Sequence, residues 1–327
     1  MLNFRSTRYN PVADCNDVRE YLAGIKEFIN VPDGFGPDTT LVKFGRRSEI
    51  TTSQKTPVLA ELPVGDAVGE IKAIYSAIES ALSVKLVNLV YRHLATVPGA
   101  LEWAWGTVGP AFEEGVFARR SRDVVLMAFP APSDAVFLGR AGLSEGESRA
   151  VLGTIDAYNR ANPMNALSLR VIELALEDGR PALWMPTVAK DTRTLPSLLP
   201  MTPLDRVADE TMKTLNRLAY LTTGDDSGLV PSLFRHFTVW PELLAQLADW
   251  LEPLAADGVI EEQVASVKIE ADRIAREIFA QLDPPGDGAV LPDEATRSAL
   301  LKTIQIFPPT ICRMIVIGGL LRSALKP

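Results

Sequence analysis

Residues 87–117 read VNLVYRHLATVPGALEWAWGTVGPAFEEGVF, and residues 230–260 read VPSLFRHFTVWPELLAQLADWLEPLAADGVI. The two stretches align without a gap at an offset of 143. Arg92 falls on Arg235, His93 on His236, Pro98 on Pro241, Pro110 on Pro253 and Gly115 on Gly258. With Val87/Val230, Leu101/Leu244 and Val116/Val259 this makes 8 identities in 31 positions. Ordinary residue usage would give about two by chance. The two histidines of the chain are equivalents of each other. A duplicated fold follows, with a site expected between its halves.

The repetition extends outward in both directions. Asp66 reads as the cap of a helix over residues 67–82, and Asp205 as the cap of a helix running to about residue 221. Further on, LGTIDAY (152–158) falls on LKTIQIF (301–307) at an offset of 149, which makes Ser144 and Asp293 equivalent helix caps. Inside each half the chain resets at a proline, and a longer helix runs from Pro98 towards Glu114, where Gly115 stops it. Pro110 lies inside that helix and predicts a kink. No run alternates with period two for long enough to argue a sheet. The expected class is all-α: two homologous helical repeats, 63–178 and 205–327, packed as an intramolecular pseudo-dimer. A linker, 179–204, joins them, and an N-terminal extension, 1–62, has no counterpart.

Composition narrows the function. At 327 residues with a formal net charge of −8, the chain lacks the basic surplus that phosphate binding needs, so nucleic acid is not an expected partner. Cys15 and Cys312 lie far apart with no ligand spacing around them, so no metal or other cofactor is expected. Cys312 reads as a buried small hydrophobe. The first residues carry no apolar run. The most apolar stretch, 314–321, is eight residues between Arg313 and Arg322, short for a bilayer span. A cytoplasmic protein without a membrane partner is expected.

Three segments, in order, resemble the group I 2-haloacid dehalogenases. They are RHLATVPG (92–99) with Leu101, Trp103 and Trp105 after it; AYNRANP (157–163); and Trp240-Pro241 with Ser232 upstream. The resemblance covers about residues 63–326. It implies an all-helical pair of repeats with the site between them. It also implies a hydrolase that displaces halide from small 2-haloalkanoic acids by direct attack of water, with inversion, no covalent ester and no metal. In that family an aspartate takes the water's proton and an asparagine holds the water. The asparagine matches Asn162 and the neighbouring serine matches Ser232, but the aspartate position falls on Leu233. The apolar wall falls near Leu86 and Leu89. Asp226, in the loop just before that helix, is the candidate replacement base, and capping of the helix is its alternative role. The chain therefore reads as a dehalogenase-like hydrolase on small carboxylic acids or a degenerate one. The alternatives are a non-catalytic binder of such a ligand and a helical assembly protein. A homodimer is a further expectation.

Other candidates carry two readings each. Arg92 and Arg235 are equivalent cations, available to a ligand carboxylate or to an acid such as Glu113 or Asp257. His93 and His236 suit either a facing acid–base or metal pair, or hydrogen bonds to backbone carbonyls. Asn159, Asn162 and Asn165 cluster where the second half has Pro308, Ile311 and Met314. The polarity in one half alone suits one site per chain, and Pro163 predicts a helix break at Asn162.

Overall fold

A computed structural model describes residues 60–125, 136–137, 142–182, 198–224, 229–283 and 286–326, all within one compact unit, Lys55–Pro327. The described residues are mostly helical. Five helices come first: α1 (Gly69–Leu82), α2 (Leu89–Leu94), α3 (Ala100–Glu113), α4 (Val116–Val125) and α5 (Glu145–Glu177). Five more follow: α6 (Asp209–Thr223), α7 (Ser232–Arg235), α8 (Pro241–Ala256), α9 (Val259–Gln281) and α10 (Glu294–Ala324). Among the described residues the only paired strands are β1 (Val136–Phe137) and β2 (Leu325–Lys326), two residues each and parallel.

Local chemistry sets the boundaries. Ser144 and Glu147 form a reciprocal capping box at the start of α5: Ser144 Oγ accepts from the Glu147 amide, and the Ser144 amide donates to Glu147 Oε2 at 2.8 Å. Asp293 caps α10 through the Thr296 amide at 2.7 Å. Gly115 and Gly258 sit at φ 69° and 75° between consecutive helices, a left-handed conformation that costs glycine little. Two expected caps shift. Asp66 and Asp205 lie in 3-10 turns, and the helices start beyond them, after Val68 and Ala208. The helix expected from Pro98 starts at Ala100.

The expected break at Asn162 is not there. α5 runs unbroken through Pro163, and α10 through Pro308 and Pro309. A proline inside a helix costs about 3 kcal/mol. Of the 33 residues in α5, 20 are buried, from Ser148 to Leu176. Each large apolar side chain buried there contributes about 1.5–3 kcal/mol, so packing outweighs the local preference.

α5 and α10 pack along each other and, with α9, form the centre of the core. The short helices cross over: α2 packs on α10, and α7 packs on α5. At the central crossing, Asn159 Nδ2 donates to the Gly318 carbonyl at 2.9 Å. The apolar stretch 314–321 lies within α10, a 31-residue helix with a mean hydropathy of 1.6 over its most apolar window. By length and composition α10 is apolar enough to cross a membrane. With 61% of that window buried inside the fold, it is packed as a core helix. Cys312, on the same helix, is buried, and burial pushes its thiol up to about 11.

Candidate functional site

The crossover brings α2, α5, α7 and α10 around one pocket. Its cavity volume is ≈ 60 Å³. At roughly 10–15 Å³ per water-sized group, that is room for about four to six heavy atoms.

Five pairs of positions that the two sequence offsets align line it, and in four of them one member is polar and the other apolar: Asn88 and Pro231, Leu89 and Ser232, Tyr158 and Phe307, Asn162 and Ile311. Asn88, Ser232, Tyr158 and Asn162 supply the polar members, while Pro231, Leu89, Phe307 and Ile311 supply the apolar ones. Val90 and its equivalent Leu233 add apolar wall, as does Met314.

The polar members fall into two separate groups. Asn88, which also lines the pocket, donates Nδ2 to Asn162 Oδ1 at 3.3 Å. Asn162 Nδ2 and Asn88 Oδ1 are buried and have no partner. Tyr158 Oη lies 3.1 Å from His236 Nε2, and Ser232 stands near the same phenol. Burial raises the Tyr158 pKa well above the usual phenol range, so the hydroxyl stays protonated. Burial also holds His236 below its usual pKa.

Asn162, Ser232, Leu233 and Leu89 all line this pocket. Leu86 is buried in the core and is not among the lining residues. Asp226 lies outside the described residues, in the stretch before Leu229 and Val230, which line the pocket. Arg92 turns elsewhere. Its Nε and Nη2 both lie 2.7 Å from Glu61 Oε2, with the Nη2 contact an ion pair rather than an aligned hydrogen bond. Arg235 Nη1 reaches the other oxygen of Glu61 at 3.5 Å. One carboxylate thus serves both equivalent guanidiniums, in place of Glu113 or Asp257, because residues 60–62 lie against α2. The Leu62 amide donates to the Arg92 carbonyl at 2.9 Å. The histidines are each committed to a carbonyl from an extended segment: His93 Nδ1 to Ala60 at 2.7 Å and His236 Nδ1 to Leu199 at 2.5 Å. They do not form the facing pair that was one of the two expectations.

Tyr158, Asn88 and Glu61 were missed from sequence. For Tyr158 a signal existed. It faces Phe307 in the 149 offset, the same one-sided polarity that singled out Asn162.

No protein-family model matches the chain, and no curated protein matches it. Solved structures do. A crystal structure of a D-2-haloacid dehalogenase mutant superposes with a TM-score of 0.63 at 16% identity, covering 82% of this chain and 96% of that one. A complex of a D-2-haloacid dehalogenase mutant with D-2-CPA gives 0.61 at 16% identity, with the same coverage. A complex of the D-2-haloacid dehalogenase with L-LA gives 0.59 at 17% identity, covering 82% and 97%. At such identity the likeness speaks for the fold alone. The chain has a haloacid dehalogenase-like fold.

Proposed function

We propose that this chain takes a small 2-substituted carboxylic acid into the pocket, between two homologous repeats packed as a pseudo-dimer. The observation that carries the reading is the mixed lining. Asn88, Tyr158, Asn162 and Ser232 bring polar groups to it, and Leu89, Leu233, Phe307 and Ile311 bring apolar wall. Such a pocket orients a short molecule with one polar and one apolar end. The unpartnered Asn162 Nδ2 is a donor for the carboxyl group. Arg92 and Arg235 with a single Glu61 leave a net positive charge behind Tyr158, which favours an anion. A six-heavy-atom acid such as 2-chloropropionate matches the space.

Hydrolytic dehalogenation on this site needs a proton acceptor at the attacking water. In this reading one N–H of Asn162 Nδ2 holds the water while the other holds the carboxyl group, and Asp226 takes the water's proton. Leu233, 1% exposed in the lining, favours the second reading: binding of the same acid without turnover. The division into 63–178 and 205–327 with linker 179–204 and extension 1–62, a cytoplasmic location and a homodimer belong to the same proposal. Its partner is a small acid rather than a nucleic acid or a membrane.

The test is halide release from both enantiomers of 2-chloropropionate. Release that collapses in Asn162→Ala and in Asp226→Asn supports the hydrolase. Release unchanged in Asp226→Asn removes Asp226 as the base. Binding without release supports the second reading.

A further inference from the structure

Tyr158 and His236 give the pocket a chemistry that its lining alone does not reveal. The Leu199 carbonyl only accepts, so His236 Nδ1, 2.5 Å away, carries the proton. In the neutral ring Nε2 is then a lone pair, and the Tyr158 hydroxyl donates to it at 3.1 Å. The phenol proton is committed to the imidazole, and the phenol oxygen offers the pocket only lone pairs. Protonation of His236 reverses this. Nε2–H becomes a donor, Tyr158 Oη accepts from it, and the phenol proton is released towards the pocket. Tyr158 is thus an acceptor for a ligand when His236 is neutral and a donor when it is charged.

The groups around the imidazole come from several elements. Burial disfavours its charged form most, and Arg235 and Arg92 act in the same direction. The carbonyls of Leu199 and Pro200 act against them. Glu61, between the two arginines, offsets part of their charge. In the other half the equivalent pair, His93 and Phe307, has ring centroids 6.1 Å apart and no hydroxyl between them. The device exists at one of the two equivalent pairs alone.

We propose that the pocket binds a carboxylate together with one proton, taken up by His236 and presented to the ligand as the Tyr158 hydroxyl. This rests on the reading of the pocket as a small-acid site. An anion facing a phenol lone pair is repelled, and the same anion facing the phenol hydroxyl is held. Here Tyr158 touches the ligand and His236 acts through it.

The test is calorimetry of the full chain with isobutyrate, which has the shape of 2-chloropropionate without a leaving group. Two buffers of different protonation enthalpy report the proton count. Above the His236 transition, close to one proton is taken up per isobutyrate, and affinity falls by up to about tenfold per pH unit. In Tyr158→Phe the uptake drops below about half a proton and the pH slope below about threefold per unit, the estimate again resting on proton linkage. Phe307, against His93, shows that the fold accommodates a phenyl ring in this environment. Without ligand, the Tyr158 Cζ resonance follows the titration of the His236 nitrogens. Binding without proton uptake, or a Tyr158 resonance that ignores His236, overturns the proposal and leaves the small-acid reading standing. No binding at any pH removes the small-acid reading itself.

Discussion

Asn88 Nδ2 donates to Asn162 Oδ1 at 3.3 Å, and both residues line the pocket. This contact fixes the Asn162 amide with its NH2 group unpartnered, although a buried amide normally finds a partner. A ligand carboxylate supplies it. Asn162→Ala is therefore expected to weaken 2-chloropropionate binding by roughly tenfold, the worth of about 1.4 kcal/mol for a hydrogen bond to a charged group. Calorimetry measures it, with circular dichroism to verify that the helices remain.

Glu61 holds two guanidiniums whose side chains are 5% and 10% exposed. Removing one partner of a buried ion pair costs on the order of 3 kcal/mol, because the partner charge stays buried. Glu61→Gln leaves both arginines without a counter-charge and is expected to lower stability by about that much. Urea denaturation reads it, and Arg92→Met in the Glu61→Gln background is expected to recover part of the loss.

At the α5–α10 crossing, a Cβ on Gly318 would collide with the Asn159 side chain, which donates to the Gly318 carbonyl at 2.9 Å. Gly318→Ala forces either the amide or the helices apart, at about 1–3 kcal/mol. Thermal unfolding of Gly318→Ala against Gly318→Ala with Asn159→Ala checks the cause. The double variant is expected to be the more stable of the two.

The helical class was legible because helix signals need no long-range contact: the prolines that reset the chain, and Gly115 and Gly258, which stop helices. The caps Ser144 and Asp293 were legible for the same local reason, a short side chain three residues before an amide. Asn162 was misjudged as a break. The rule for residues before proline describes an isolated chain, and the burial along α5 overrides it. Glu61 was illegible. Nothing in residues 60–62 predicts that they lie against α2, and the choice between Glu61, Glu113 and Asp257 as the arginines' partner is made only by tertiary packing. Tyr158 is legible by the comparison that singles out Asn162, since it falls on Phe307 as Asn162 falls on Ile311.

His236 also predicts how stability depends on pH. Burial holds its folded pKa below the ordinary value of 6.5. The unfolded chain then binds more protons than the folded one, so stability rises with pH through this window and is lost as pH falls below about 6.5. Urea midpoints are expected to drop between pH 7 and pH 5.5, before the carboxylates titrate. His236→Gln, which carries no titrating ring, is expected to flatten that segment.

The proposed function stands or falls on whether the pocket holds a small acid. The most direct measurement is a methyl-labelled NMR titration of the full chain with 2-chloropropionate. The account predicts saturable shifts concentrated at Leu89, Leu233, Ile311 and Met314, all of which line the pocket, and their loss in Asn162→Ala. Shifts confined to methyls elsewhere, or none at saturating ligand, would contradict it.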